Sequence, residues 1–202
     1  MNYDRKMLES WAEMTTWQEY LTREGAFNNV SKEVWQYIEQ KYFRIVKRRI
    51  EHCKKLLTEY DDWYICYTLA ELYDRGNLDG SVEQLYKRPV RYWCIKTIRK
   101  NPDHARAYAL LSEAYIWIAA LGGESKEMPN MTTAINAQDI IVDIERERSS
   151  NRRNPTLFFT ERAIKCLKKA IAIDPQEKYI YRLKEFYGLK NEEYSEEHPF
   201  NL

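Results

Sequence analysis

Apolar residues recur at helical spacing over a long segment near the start of the chain. From Ile38 to Tyr60 they stand three or four residues apart, which places them on one face of an α-helix. The members of this stripe are Ile38, Tyr42, Val46, Ile50, Cys53, Leu57 and Tyr60. Ser31 precedes the segment, and its hydroxyl can accept the free amide protons of a first helical turn. The pattern predicts a long amphipathic helix that begins after Ser31.

Further helices follow from the same periodicity and from the residues that interrupt it. Gly76, Pro102 and Pro175 each follow an apolar helical segment, where glycine and proline commonly end a helix. The other predicted helices span 5–22, 62–75, 89–100, 104–121, 132–149, 157–173 and 176–187. Six glycines and six prolines in 202 residues are too few for the frequent turns of an all-β fold. The chain is therefore predicted to be all-α.

Two parts of the chain repeat one spacing of large and small residues. The first part reads Cys66-x2-Leu69-Ala70-x2-Tyr73, followed by Val90-x3-Cys94-x2-Thr97 and Pro102. The second part reads Tyr108-x2-Leu111-Ser112-x2-Tyr115, followed by Ala163-x3-Leu167-x2-Ala170 and Pro175. The small residue, Ala70 or Ser112, lets a second helix approach closely, and the proline ends that helix. Each part is therefore predicted to fold as a pair of packed helices.

This spacing resembles the tetratricopeptide repeat, in which W-x2-L-G-x2-Y is followed by A-x3-F, then A and P, over about 34 residues. Here the two repeats are longer, because extra residues fall inside each of them. The extra residues lie in the 77–88 connection and in the segment 122–158. The resemblance implies antiparallel helix pairs stacked as a short right-handed superhelix, an α-solenoid.

The resemblance also implies a domain organisation. One helical-repeat domain would cover residues 1–188, followed by a polar tail at 189–202. Its parts would be an N-terminal helical hairpin at 5–60, repeat one at 62–102, repeat two at 104–175 with its insert at 122–158, and a capping helix at 176–188. About three stacked units are needed for stability in this architecture, so the N-terminal hairpin is expected to serve as the third.

The charge balance bears on possible partners. Lysine and arginine total 32 against 31 acidic residues, a net charge of +1, which does not favour a protein devoted to binding phosphate backbones. Basic clusters nevertheless occur at 47–55, 146–153 and 165–169. A solvated helix face is the commoner explanation of such clusters. Since helical-repeat proteins can bind RNA, nucleic acid remains an alternative partner.

Residues able to support catalysis are sparse. The sequence contains no phosphate loop, GxGxxG, GxSxG or HExxH motif. The four cysteines are far apart and form no CxxC pair, and Asp139 with Asp143 could hold a cation only with ligands from elsewhere. No apolar run has the length of a secretory signal or a membrane span. We therefore expect a cytoplasmic, non-enzymatic protein without cofactor or metal and without a membrane association.

The resemblance implies a binding groove lined by the first helix of each pair. The residues that would face it are Tyr64, Tyr67, Glu71, Arg106, Ala109, Glu113, Trp117, Tyr179 and Arg182. Tyrosine, tryptophan and arginine are the residue types that contribute most at interfaces. The expected function is a scaffold or adaptor that binds a partner peptide or helix. The alternatives are that these aromatic residues only pack within the chain, that the protein binds RNA, or that it is a structural subunit or a homodimer.

Overall fold

The structure, a computed structural model, describes residues 4–13, 19–20, 31–76, 87–121 and 155–189. Within these ranges it contains seven α-helices and no strand, which confirms the all-α class for this part of the chain. The helices are α1 (Arg5–Ala12), α2 (Lys32–Glu59), α3 (Trp63–Arg75), α4 (Arg88–Lys100), α5 (Ala105–Ala120), α6 (Pro155–Ile173) and α7 (Glu177–Leu189). The predicted helix at 132–149 and the predicted tail from 190 onward lie outside the described residues.

Helix α2 follows the predicted apolar stripe. It begins after Ser31, whose hydroxyl accepts a hydrogen bond from the Val34 amide at 3.5 Å. The buried side chains of α2 are Ile38, Tyr42, Val46, Ile50 and Cys53. Helix α1 ends at Ala12, whereas the predicted helix continued to residue 22; beyond residue 13 the structure describes only 19–20 of that segment, and these two residues are helical.

The chain divides into two compact units, Met1–Pro102 and Asp103–Leu202. In the first unit, α3 and α4 pack as an antiparallel pair. Lys87, just before α4, binds Asp74 at the end of α3 with Nζ and Oδ1 3.0 Å apart. Lys100, at the end of α4, forms an ion pair with Asp61, just before α3. Because each end of one helix meets the opposite end of the other, the two helices run antiparallel.

The centre of the first unit lies around α3. The fully buried side chains of α3 and α4 include Ala70, where the repeat pattern predicted close approach, and Thr97, at a small position of the second helix. Helices α1 and α2 also pack against α3. The Arg5 guanidinium of α1 lies over the rings of Trp63 and Tyr64, 5.2 and 4.6 Å from their centroids. Thus α3 has neighbours on several sides.

A chain of hydrogen bonds links α2 to α3 inside the first unit. The Tyr67 hydroxyl donates to the Glu71 carboxylate, which also binds the Arg75 guanidinium at 3.0 Å. The Tyr42 hydroxyl of α2 donates to the Arg75 carbonyl oxygen at 3.4 Å. We call Tyr42, Tyr67, Glu71 and Arg75 the α2–α3 network. It satisfies two polar groups that are almost fully buried, since Tyr67 is 1% and Glu71 8% exposed.

In the second unit, α5 and α6 pack against each other and run antiparallel. Tyr115, near the end of α5, stacks on Phe159, near the start of α6, with ring centroids 6.1 Å apart and planes 27° apart. Tyr108, near the start of α5, lies beside Cys166 further along α6: burial raises the pKa of Tyr108, and Cys166 adds to that rise. Their fully buried small residues are Ala107, Ser112, Ala163 and Ala170.

Helix α7 folds back on α6 after a connection at residues 174–176. Leu183 and Phe186 of α7 are fully buried, and the Lys168 ammonium of α6 lies 5.7 Å from the Tyr187 ring centroid. The second unit is therefore a helix pair followed by one further helix.

Candidate functional site

The predicted groove residues of the first unit are engaged within the chain. Tyr67 and Glu71 belong to the buried α2–α3 network. Tyr64 is half-buried, with the Arg5 guanidinium over its ring. The structure therefore places two of these three side chains in the core and the third beneath α1, which leaves Tyr67 and Glu71 without a surface that a partner could contact.

The predicted residues of α5 lie together on an exposed side of that helix. Arg106 and Trp117 are exposed, the latter at 47%, and Ala109 and Glu113 between them are half-buried. We call these four residues the α5 face. The other side of the helix is buried, and its side chains there are Ala107, Leu111, Ala114 and Ile118. The helical period thus separates a packing side from a solvent side on α5.

Glu113 and Arg182 pair with each other. The two guanidinium hydrogen bonds, from Nε and Nη2 to the two carboxylate oxygens, are both 2.8 Å long. Arg182 also donates to Glu185 at 2.6 Å. Hydrogen bonding to Glu113 and Glu185 outweighs the opposing effect of burial and raises the pKa of Arg182 above its usual value. Glu113 and Arg182, which were both predicted to bind a partner, therefore connect α5 to α7.

The link between Glu113 and Arg182 is expected to contribute modestly to the stability of the second unit. Their side chains are 43% and 39% exposed, so water screens the pair. A double-mutant cycle with Glu113→Ala and Arg182→Ala, measured by urea unfolding, should give a coupling of about 0.5–1 kcal/mol. Raising the salt concentration should weaken it. A coupling of zero at low salt would show that the bidentate contact does not form in solution.

Tyr179 does not lie on the predicted surface. It is 6% exposed, and the Lys178 ammonium lies 5.1 Å from its ring centroid. The exposed tyrosine of α7 is instead Tyr181, at 68%. Tyr179 and Tyr181 are two residues apart, so their side chains point in directions about 200° apart around the helix axis. An error of two residues in the predicted register therefore exchanges a buried side chain for an exposed one. The weaker match of this helix to the repeat pattern left its register undetermined.

Two exposed apolar residues that the sequence analysis did not select lie near the α5–α6 connection. Leu121 is 42% exposed and follows α5, and Leu157 is 41% exposed at the start of α6. The antiparallel pairing brings this end of α5 to the start of α6. A signal for Leu157 was present in the run Leu157–Phe159, since three consecutive large apolar residues point in three directions on a helix and cannot all be buried on one side.

The cysteine thiols are protected. Burial raises the pKa of Cys53 to about 12, that of Cys66 to about 11 and that of Cys166 to about 12. Because the thiolate is the nucleophile, such thiols are poorly reactive near neutral pH. Among the described residues, no group of three histidine, cysteine or acidic side chains is arranged to hold a metal ion. In the same part of the chain, no helix combines the length and apolarity needed to cross a membrane.

Comparison of the chain with protein-family models, with curated proteins and with solved structures gives no significant match. The functional interpretation therefore depends on the residues and their geometry.

Proposed function

We propose that this chain is a non-catalytic scaffold or adaptor of the tetratricopeptide-like type, which binds a partner segment along the α5 face. One observation carries the proposal. The α5 face keeps an arginine and a tryptophan in contact with solvent, while the other side of the same helix is packed against α6. Arginine and tryptophan are enriched among the residues that dominate binding energy at protein interfaces. The proposed compartment is the cytoplasm, since the four cysteines are thiols and disulfides are typical of oxidising compartments.

The spacing on the α5 face indicates the kind of partner. Arg106 and Trp117 are separated by eleven positions in the chain, about 16 Å along the helix. Glu113, Arg182 and Glu185 together carry one net negative charge, so the middle of the face does not attract an acidic group of a partner. We therefore expect a partner with an acidic side chain near Arg106 and a large apolar side chain near Trp117. An extended segment would cover this distance in about five residues.

Selection of peptides from a displayed random library tests this proposal. Trp117→Ala is expected to weaken the selected peptides by about tenfold or more, because the ring supplies the largest apolar contact of the face. Arg106→Ala should weaken acidic peptides in particular. Affinity is measured by fluorescence anisotropy on the purified full chain, with helicity checked by circular dichroism.

Tyr181→Ala is the matched control. It removes an aromatic ring from α7 that is more exposed than Trp117 and lies outside the α5 face. This variant should bind the selected peptides like the unaltered chain. Equal losses for Trp117→Ala and Tyr181→Ala, or no loss for Trp117→Ala, would contradict binding at the α5 face.

A further inference from the structure

The longest helix of the first unit carries a row of exposed cations. Helix α2 has 28 residues, so it is about 42 Å long. Four exposed basic residues of this helix, which we call the α2 basic face, are Arg44, Lys47, Arg48 and Lys55. Arg44, Arg48 and Lys55 follow one another at four- and seven-residue intervals and therefore lie along one line of the helix surface, on which the exposed Glu51 also lies, between Arg48 and Lys55. Within the described part of the chain, no ion pair engages these four side chains.

The cations of α2 divide between two roles. Arg49 lies amid the α2 basic face in sequence, but its guanidinium turns inward, 5.4 Å from the Trp11 ring centroid, and burial lowers its pKa. Lys54 contacts the Tyr73 ring at 5.7 Å. These two side chains contribute to the packing of α2 on its neighbours. Within the described residues, the four side chains of the α2 basic face make no such ring contact.

An exposed aromatic ring lies beside the α2 basic face. Tyr37 is 67% exposed and stands two turns before Arg44 on the same side of the helix. Gln40 is also exposed and lies between them. A row of cations that follows a phosphate backbone, combined with an aromatic ring on which a base can stack, is the usual means of binding single-stranded nucleic acid. The glutamine amide offers both a donor and an acceptor, as a ribose 2′-hydroxyl requires.

We propose that the α2 basic face, with Tyr37 and Gln40, binds single-stranded RNA. The exposed residues from position 39 to position 55 are all polar, so beyond Val34 and Tyr37 this face offers no exposed apolar side chain to a protein partner. The apolar side of α2 is buried in the first unit, so the helix cannot insert that side into a membrane. A phosphate backbone needs no apolar contact, because its binding energy comes mainly from the release of counterions. This proposal is independent of the α5 face, which lies in the other unit.

Binding of a labelled short oligouridylate to the full chain, followed by fluorescence anisotropy over a series of salt concentrations, tests the proposal. Four phosphate contacts should give a slope of log K against log salt of about −3 for a single strand. The triple variant Arg44→Gln, Arg48→Gln, Lys55→Gln should lose at least about tenfold in affinity and reduce the slope to about −1. Lysine at 44 and 48 should preserve the slope, because the charge is retained.

Tyr37→Ala provides a different readout. It should lower the affinity by roughly fivefold or more, since the stacked base is lost, while leaving the salt slope unchanged. Tyr37→Phe should restore the affinity, because the ring is retained. A reduced slope for Tyr37→Ala, or no loss of affinity, would contradict the role assigned to this side chain.

The control variant removes three charges from the other unit, through Lys165→Gln, Lys169→Gln and Lys178→Gln. It should bind the oligouridylate like the unaltered chain. Equal losses for the control and the α2 variant would indicate a general effect of net charge and would overturn the proposal. An absence of oligouridylate binding at low salt would also overturn the proposal. The same holds if oligodeoxythymidylate, polyglutamate or vesicles that contain phosphatidylserine bind as tightly as oligouridylate or more tightly.

Discussion

Replacing Phe159 by alanine is expected to destabilise the second unit by about 3–5 kcal/mol. The Phe159 side chain is 1% exposed and stacks on Tyr115 across the α5–α6 pair. Its removal leaves a cavity between two helices whose approach is already fixed by the fully buried Ala163 and Ala170. Close-packed neighbours collapse only partly into such a space, so both the transfer energy and the packing contacts of the ring are lost. Urea unfolding measures the loss, and hydrogen exchange of α5 and α6 locates it.

Phe158→Ala is a control with the same change of side chain one position earlier. Phe158 is half-buried, and the Arg162 guanidinium lies 4.7 Å from its ring centroid. Its loss should cost about 1 kcal/mol, mostly through the contact with this cation. If both variants were equally stable, the assignment of Phe159 to the centre of the α5–α6 pair would be wrong.

Alkaline conditions are expected to destabilise the fold through its buried thiols. The folded pKa values of Cys53, Cys66 and Cys166, about 12, 11 and 12, lie above the ordinary thiol value. The folded state therefore holds its protons at a pH where the unfolded chain has lost them. The contribution of these thiols is complete below about pH 8.5 and falls as the pH rises from there to the folded pKa values. At about pH 10.5, two pH units above the ordinary thiol pKa, each thiol should have lowered the free energy of unfolding by about 2–3 kcal/mol.

The measurement is the free energy of urea unfolding at a series of pH values, under reducing conditions. A variant with alanine at 53, 66 and 166 should show a shallower decline above about pH 8.5. It should retain part of the decline, because burial raises the pKa of Tyr42 and Tyr108 as well. An identical decline with and without the thiols would mean that they ionise as easily in the folded chain as in the unfolded one.

The helices could be predicted from the sequence because the signals for them are local. Ser31 begins α2 and the apolar period continues through Cys53, while Pro102 and Pro175 follow α4 and α6. The packing of Ala163 and Ala170 between α5 and α6 also follows from the repeated spacing of small residues. Such features depend on a few residues that are close together in the sequence, so they can be predicted without knowledge of the tertiary structure.

The candidate site could be predicted only in part, as Glu71 and Glu113 illustrate. The two glutamates occupy the same position of the repeat pattern, two residues after Leu69 and Leu111. Glu71 is buried, because α1 and α2 both pack on α3 and Tyr67 and Arg75 of its own helix enclose the carboxylate. Glu113 stays half-exposed and pairs with Arg182 of α7. The two glutamates differ in burial because different helices, distant in the sequence, pack around them. The spacing of residues within one repeat does not predict that packing.

The α2–α3 network constrains how this sequence can drift during evolution. Replacing Glu71 alone by an apolar residue would leave the Tyr67 hydroxyl and the Arg75 guanidinium without their acceptor. A buried polar group without a hydrogen-bond partner lowers the free energy of unfolding. Exchanging all three for apolar residues of similar shape would cost far less, because no donor would then lack an acceptor. Positions 67, 71 and 75 should therefore covary among related chains, changing as a set and seldom one at a time.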